Sequence, residues 1–273
     1  MRDLNLSQEA RKLLDLLNSK KPAVAMLAPS FVVDFDYPDI VRRLKKLGFK
    51  YVAEVSRGAE ETNRQLLALM KLHPDRRYIT SPCPNIVRLI RNKYPELKDY
   101  LSPIDSPMTA TAKIIKREYP GYKIVHFSPC LVKKLEANED HPEFGILALT
   151  FKDLKDIFEM KKNKPRKILN KFLGKTKYSF DIEGGETRLY PISGGLAQSS
   201  GITQAMTDAE FDVISGPALV NKVLQEFLKK PELKILDILN CDGGCISGPG
   251  MVSKAPIELR RKKVTDFYGK HQK

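Results

Sequence analysis

Two patterns of hydrophobic and polar residues alternate along most of the chain. Short apolar runs predict buried strands, and stretches with apolar residues every three or four positions predict amphipathic helices. The predicted strands are 22–28, 51–55, 77–80, 123–128, 145–151, 188–192, 211–215 and 234–240. The predicted helices are 5–20, 39–49, one that ends near residue 72, and three that begin near residues 84, 106 and 255. Strands that alternate with helices are typical of crossover units, so the pattern predicts a two-lobed α/β protein.

We expect each lobe to be a largely parallel or mixed sheet flanked by helices. The chain is divided into an N-terminal helix at 1–21, a first α/β lobe at 22–118, a second α/β lobe at 119–253 and a basic C-terminal helix at 254–273. Ligands of such sheets bind at the carboxyl ends of the strands, so the chemistry of the protein is expected there.

Composition excludes several classes of protein. A chain of 273 residues with 42% hydrophobic and 29% charged residues can bury a substantial core, which excludes a disulfide-stapled miniprotein. No run reaches the ~18 consecutive apolar residues of a membrane span. Charges interrupt the leucines of the N-terminus, where a secretory peptide would have an apolar segment. We therefore expect a cytoplasmic protein that does not contact a membrane.

The chain is strongly basic. It has 47 Lys and Arg residues against 33 Asp and Glu residues, a formal net charge of +14 that favours anionic partners. Residues 161–177 contain eight basic residues and no acidic one. This segment is interpreted as a solvated helix face or, alternatively, as a docking patch for an acidic protein. Nucleic acid is disfavoured as a partner, because no nucleic-acid-binding motif accompanies the charge.

The four cysteines lie in loops of unusual composition. Cys83 stands in ITSPCPNIV, Cys130 in HFSPCLVKK, and Cys241 and Cys245 in ILNCDGGCISGPG. Each loop follows a predicted strand, and the proline and glycine residues around the cysteines favour loops that wrap a bulky group. Zinc usually binds paired Cys-x-x-Cys motifs, which this chain lacks, so the spacing favours an iron-sulfur cluster over zinc. Taken singly, Cys83 or Cys130 could instead be an ordinary buried thiol.

These motifs resemble the catalytic domain of the iron-only, or [FeFe], hydrogenases. From about Pro22 to the C-terminus, TSPCP is similar to the family's TSCCP, SPCLVKKLE to its MPCxxKxxE and CDGGCISGPG to its CPGGCxxGGG, in the same order. The segments LAPS at 27–30, LSPIDSP at 101–107 and SGGL at 193–196 also match. The resemblance implies the two-lobed α/β fold, with a metal cluster in the cleft between the lobes.

The resemblance also implies a cofactor and its ligands. Cys83, Cys130 and Cys241 would hold a [4Fe-4S] cluster, and Cys245 would also bridge it to a binuclear iron unit that carries CO, cyanide and a bridging dithiolate. The two parts together form the six-iron H-cluster. The second lobe, at 119–253, would supply the main cluster-binding loop.

Further site residues follow from the same resemblance. Lys133 corresponds to a lysine that contacts one cyanide, and Ser30 is a candidate donor to the other. The remaining implied cofactor contacts are Ala28, Pro29, Gly194 and Gly195. Ser30 could instead be a helix cap or turn residue, and Lys133 a surface lysine.

The sequence departs from the family along the expected proton relay. Pro82 stands where the relay cysteine of TSCCP is expected, and Leu66 and Leu69 stand at the inferred positions of relay glutamates. Ser102 matches the relay serine. A positioned acid or base contributes ~10²- to 10⁴-fold, so turnover is expected to be slow. Ser128, Leu239 and Met108 replace the family's usual residues beside the cluster motifs. Such replacements resemble those in divergent or sensory branches of the family.

The sequence therefore predicts an [FeFe]-hydrogenase-type metalloprotein that slowly catalyses reversible H2 oxidation and proton reduction, with Cys245, Lys133, Ser30 and Ser102 as catalytic residues. The alternatives are an H2-sensing subunit with the same cofactor and a non-catalytic [4Fe-4S] scaffold related to cytosolic iron-sulfur assembly factors. No ferredoxin-like Cys-x-x-Cys-x-x-Cys motif and no output domain is visible. We therefore expect electrons to come from an acidic carrier such as ferredoxin, and the binuclear unit from hydrogenase maturases.

Overall fold

The computed structural model describes residues 6–162 and 178–271. The strands are β1 (Ala23–Leu27), β2 (Tyr51–Glu54), β3 (Tyr78–Ile79), β4 (Lys123–Ser128), β5 (Leu147–Thr150), β6 (Phe211–Ser215) and β7 (Ile235–Leu239). The α-helices are α1 (Gln8–Asn18), α2 (Asp39–Leu47), α3 (Ser56–Leu72), α4 (Pro84–Lys93), α5 (Pro107–Glu118), α6 (Lys133–Leu135), α7 (Phe151–Lys162), α8 (Gly195–Ser200), α9 (Ile202–Ala205), α10 (Pro217–Glu226) and α11 (Ile257–Lys270). A π-helical turn spans Glu136–Asp140, and the 3₁₀ turns are Pro29–Val33, Pro95–Tyr100, Pro142–Phe144, Glu186–Leu189, Phe227–Lys229 and Cys245–Ser247.

The strands form two parallel sheets, which confirms the predicted α/β class. One sheet has the order β2-β1-β4-β5 and the other the order β3-β7-β6. All five residues of β1 and all five of β7 are buried, as expected for central strands that are covered on both faces. Most of the basic segment predicted at 161–177 lies outside the described residues. None of the described helices combines the length and apolar character that a bilayer crossing needs.

The two sheets do not follow the predicted division at residues 118 and 119, which is therefore corrected. Strand β4 pairs in parallel with β1, with Ala25 opposite Val125, although the prediction placed them in different lobes. Strand β3 pairs instead with β7. The apolar pattern marks where strands occur, but long crossover connections leave the order of the strands open. Each sheet is therefore built from two separate parts of the chain.

The strand predicted at 188–192 is wrong. This segment is a 3₁₀ turn, Glu186–Leu189, followed by tight turns in which the Tyr190 amide donates to the Thr187 carbonyl (3.1 Å) and the Ile192 amide to the Leu189 carbonyl (3.0 Å). Leu189, Tyr190 and Ile192 are buried by packing against other elements, not by strand pairing. A short apolar run gives the same signal in either case.

A buried ion pair holds the same segment in place. Nε and Nη2 of Arg188 donate to the two carboxylate oxygens of Glu54, at the end of β2, over 2.8 and 2.9 Å. Both side chains are almost inaccessible to solvent, so the pair is stable only because each charge compensates the other. The turn is thereby fixed beside β2, and the following residues Tyr190 and Pro191 reach the cavity described below.

Candidate metal centre

The four cysteines all lie at carboxyl ends of strands, as predicted. Cys83 lies between β3 and α4, and Cys130 follows β4. Cys241 and Cys245 follow β7, and Cys245 begins a 3₁₀ turn. Because β4 belongs to one sheet and β3 and β7 to the other, the cysteine loops come from both sheets. All four thiols are free and partly buried.

The cysteines are close enough to change one another's protonation. Burial, and then the negative charges of Cys83, Cys241 and Cys130, raise the pKa of Cys245 well above its usual value. Burial, followed by the charges of Cys83 and Cys130, raises the pKa of Cys241 to about 12. Burial, followed by the charge of Cys83, also raises the pKa of Cys130. Four adjacent thiolates therefore need a positively charged group between them, as metal ions supply.

The arrangement of the donors distinguishes a cluster from a single ion. Among the described residues, no three His, Cys, Asp or Glu side chains are placed to hold one metal ion. In a cubane each thiolate binds a different iron, so its four sulfur atoms need not converge on one point. Four cysteine thiols are a donor set that fits an iron-sulfur cluster.

Close backbone packing fixes the loop that carries Cys241 and Cys245. Gly244 has φ +105°, and a Cβ there would lie 2.5 Å from the carbonyl oxygen of Pro191. A Cβ on Gly248 would lie 2.6 Å from the carbonyl oxygen of Pro129, the residue before Cys130. Glycine at these two positions therefore lets the loop lie against the loops of the opposite side of the site.

A cavity that is partly open to solvent adjoins the cysteines. Two cysteines, Cys130 and Cys245, form part of its wall. The other wall residues are mostly apolar and are Ala28, Pro29, Ser30, Val55, Ala59, Pro82, Pro107, Met108, His126, Ser128, Pro129, Lys133, Tyr190, Pro191 and Leu239. The structure thus brings together Ala28, Pro29, Ser30 and Lys133 from the predicted site.

Lys133 is a partly buried, paired lysine beside this cavity and not a freely solvated surface lysine. Its Nζ lies 2.6 Å from Oε2 of Glu136 and 3.2 Å from Oγ of Ser106, and its side chain is 12% exposed. It also donates to the main-chain oxygen of Pro82 over 3.4 Å. Ser106 Oγ donates a further hydrogen bond to Oε1 of Glu136. Glu136 therefore orients Lys133 and balances its charge. Arg88 pairs with Glu139 and Asp140.

Two buried polar atoms belong to wall residues of the cavity. Ser30 Oγ, in the turn Pro29–Val33, and Nδ1 of His126, on β4, have no hydrogen-bond partner among the described residues. A buried polar group without a partner is unfavourable, so each indicates a binding partner from outside the chain. Ser30 does not cap a helix, because Ala28 occupies that position without a side-chain bond. The sequence alone does not single out His126, because a lone histidine on an apolar strand is usually structural.

The remaining predicted site residues lie outside this cavity wall. Ser102 Oγ is 3.1 Å from Ser81 Oγ and lines a second cavity together with Glu136. A Cβ on Gly195 would lie 1.9 Å from the Leu189 carbonyl oxygen, so Gly194 and Gly195 support the turn next to the cavity. Leu66, at an inferred relay position, is fully buried in an apolar cluster.

Comparison with known proteins identifies the family. The family described as "Iron only hydrogenase large subunit, C-terminal domain" matches residues 21–249. The chain therefore belongs to this family, as the cysteine motifs predicted. The solved structure of a variant of [FeFe]-hydrogenase HydA1 from Chlamydomonas reinhardtii shares the fold, with a TM-score of 0.70 at 16% identity, over 94% of this chain and 88% of that one.

Two curated relatives differ in their described roles. Over 220 residues the chain is 27% identical to the cytosolic Fe-S cluster assembly factor NAR1 of Encephalitozoon cuniculi. The matched region covers 73% of this chain and 57% of the relative. It is 22% identical to iron hydrogenase 1 of Clostridium pasteurianum, over 82% of this chain and 47% of the relative. The chain thus spans about half the length of these relatives.

Proposed function

We propose that this chain binds a [4Fe-4S] cluster through Cys83, Cys130, Cys241 and Cys245. The mutual electrostatic influence of these thiols and their location at the carboxyl ends of strands from both sheets support this assignment. We further propose that Cys245 bridges the cluster to a binuclear iron unit with CO, cyanide and a bridging dithiolate, held in the adjacent cavity. Such a group supplies the redox chemistry that interconverts two protons and two electrons with H2.

The residues of the cavity have distinct roles in this proposal. Lys133 donates a charge-assisted hydrogen bond to an anionic ligand of the unit, and Ser30 donates a neutral one. Ala28, Pro29 and the other apolar wall residues exclude water, which strengthens both interactions. Gly194 and Gly195 act indirectly, through the turn that they support, and Ser102 stays a predicted relay residue.

The function that these features support best is slow reversible H2 oxidation and proton reduction. The observation that carries this proposal is the cavity beside Cys245, with a partly buried lysine and a serine hydroxyl that has no partner among the described residues. A protein that only holds a [4Fe-4S] cluster does not need such a cavity. Pro82, in the cavity wall, has no ionisable side chain, which is why slow turnover is proposed.

The second candidate is a non-catalytic [4Fe-4S] scaffold. The 27% identity to an iron-sulfur cluster assembly factor favours it, and so does the proline at position 82. An H2-sensing subunit with the same cofactor would use the same site. We propose a cytoplasmic location, hydrogenase maturases as the source of the binuclear unit and an acidic carrier such as ferredoxin as the electron partner.

Infrared spectroscopy separates the two candidates. The protein is purified anaerobically, its [4Fe-4S] content is measured, and it is loaded with synthetic binuclear cofactor. We expect infrared bands from CO and cyanide after removal of free cofactor. Cys245→Ala should lack these bands, and Lys71→Ala, which changes an exposed residue, should keep them. A wild-type protein that has its cubane but no bands after loading would be a scaffold.

A further inference from the structure

His126 is a buried polar residue in an apolar part of the first sheet. It lies on β4 between Met26 of β1 and Ala148 of β5, and both neighbours belong to an apolar cluster. The adjacent residues Val125 and Phe127 point to the opposite face, into a different cluster. An imidazole at this position loses its hydration, so it needs a specific partner.

The described residues supply no partner for one of its ring nitrogens. Nδ1 is inaccessible to solvent and has no hydrogen bond, and His126 is 1% exposed. Burial, and then the positive charge of Lys133, lower the pKa of His126 to about 3, and a hydrogen bond between the ring and the main chain of Met26 acts in the opposite direction. The ring is therefore neutral, with one N–H donor and one acceptor nitrogen.

Its position relates it to the proposed cofactor. His126 lines the same cavity as Lys133, Ser30 and Cys245. Two polar atoms without partners, Ser30 Oγ and His126 Nδ1, thus belong to the wall of one site. One bound group with several polar ligands can satisfy both.

From this arrangement we infer that His126 is a cofactor-binding residue, which forms a hydrogen bond through Nδ1 with a polar ligand atom of the iron unit held in the cavity. The inference rests on the proposed function and adds a third polar contact to those of Lys133 and Ser30. A hydrogen bond to a ligand changes the electron density at the metal, so this contact should be visible in the vibrations of the iron-bound ligands.

The test compares infrared spectra of proteins loaded with synthetic binuclear cofactor. His126→Leu removes both nitrogens, His126→Asn keeps a polar atom near the position of Nδ1, and His126→Gln keeps one near Nε2. We expect at least one CO or cyanide band of His126→Leu to shift by more than its width. The bands of His126→Asn should shift less than those of His126→Gln. The control is Phe127→Leu, a core substitution on the opposite face of β4, which should leave the bands in place.

The outcomes separate this inference from the proposed function. If wild-type bands are present and those of His126→Leu coincide with them, the inference is wrong and the proposed function stands. If wild-type protein with an intact cubane shows no bands, both are wrong. If His126→Leu does not fold, the Asn and Gln variants decide, because equal spectra for wild type, Asn and Gln would contradict a bond through Nδ1.

Discussion

Pro82 is the single residue with the clearest consequence for turnover. It lies in the cavity wall directly before Cys83, and its main-chain oxygen accepts a hydrogen bond from Lys133. A cysteine at this position keeps that main-chain contact and adds an ionisable thiol to the wall. The site then regains the acid or base that the proline removes.

We therefore expect Pro82→Cys to raise H2 evolution by the cofactor-loaded protein. The upper bound is the ~10²- to 10⁴-fold that a positioned acid or base contributes. Gas chromatography of H2, with a chemical reductant in excess, measures the rate. Pro82→Ala is the matched control, because it removes the proline without adding a thiol. A rate for Pro82→Cys no higher than that of Pro82→Ala would show that protons reach the cavity by another route.

Asp237 shows how one buried carboxyl affects stability. It lies in β7, fully enclosed, and accepts one hydrogen bond from the Ala197 amide over 3.2 Å. Burial raises its pKa to about 6, and the bond from Ala197 opposes this only in part. The folded state therefore binds a proton that the unfolded chain has already released between about pH 4 and pH 6. Stability decreases as pH rises through this window and is constant above it.

Asp237→Asn should remove this dependence. A pKa shift from 3.8 to about 6 lowers the free energy of unfolding at neutral pH by on the order of 3 kcal/mol, because each pKa unit corresponds to about 1.4 kcal/mol. We expect the variant to match wild type near pH 4 and to exceed its free energy of unfolding above pH 6, as measured by urea unfolding. The contributions of other titrating groups, among them His126, cancel in the difference between the free energies of unfolding of the two proteins. Asp208→Asn, at an exposed position, should show the same pH dependence as wild type. If the free energy of unfolding of Asp237→Asn changed with pH in parallel with that of wild type, Asp237 would not be the source of the dependence.

At the level of elements, the loop from Cys241 to Gly250 depends on backbone contact. Gly244 has a positive φ and touches the Pro191 carbonyl, so any side chain there must displace the loop. Gly121, in the turn between α5 and β4, has φ +84° but nothing within 4 Å of a Cβ. Both glycines have a positive φ, but Gly244 combines it with a ψ of −165°, a conformation that is essentially restricted to glycine, and with the close contact.

Comparison of Gly244→Ala with Gly121→Ala tests whether the backbone conformation and close contact of Gly244 are needed for cluster binding. Gly121→Ala should destabilise the protein by roughly 1–2 kcal/mol, which is the cost of the left-handed conformation for alanine, and should keep its cluster. Gly244→Ala should also lose most of its iron, because the loop that carries Cys241 and Cys245 moves. Iron and acid-labile sulfide per chain measure this. Equal iron contents in the two variants would mean that the contact with Pro191 is not needed for cluster binding.

The sequence predicted the elements of the fold better than their arrangement. Apolar runs located β1, β4 and β7 closely, because these strands are buried on both faces and bounded by turns. The run at β6 was also located, although this edge strand is only partly buried. The same signal failed at 188–192, where the ion pair of Arg188 with Glu54 fixes a turn. That pair joins residues 134 positions apart, and local sequence does not reveal it.

The site shows the same contrast. The proline- and glycine-rich loops mark the four cysteines in sequence, because those residues are needed to bring the backbone close to a bulky group. The role inferred for His126 has no such mark, since it depends on a ring nitrogen that lacks a partner in three dimensions.

For the whole molecule, the interleaved sheets make the site dependent on the complete fold. Cys130 follows a strand of one sheet, and the other three cysteines follow strands of the other sheet. Neither sheet alone can present all four thiols. The predicted contiguous lobes would allow each half to fold separately, whereas the observed pairing of β1 with β4 and of β3 with β7 does not.

The net charge of +14 has a consequence for electron transfer. Opposite charges accelerate the encounter of two proteins, and salt screens them because the Debye length falls from about 30 Å at 0.01 M to about 8 Å at 0.15 M ionic strength. We expect the second-order rate of reduction by an acidic ferredoxin to decrease about tenfold or more over this range. Stopped-flow absorbance of the [4Fe-4S] cluster measures the rate. The rate of reduction by dithionite should depend much less on ionic strength.

Charge substitutions test whether the basic segment at 161–177 is the docking patch. A triple variant with Gln at Lys164, Lys167 and Lys171 lowers the net charge by three, and so does a triple variant with Gln at the exposed residues Lys71, Lys116 and Lys123. If the segment docks the carrier, only the first variant should slow the reaction markedly at low salt and flatten its salt dependence. Equal effects of the two variants would assign the acceleration to the overall charge. An unchanged rate in both would exclude electrostatic steering by these lysines, because each variant removes the same amount of charge.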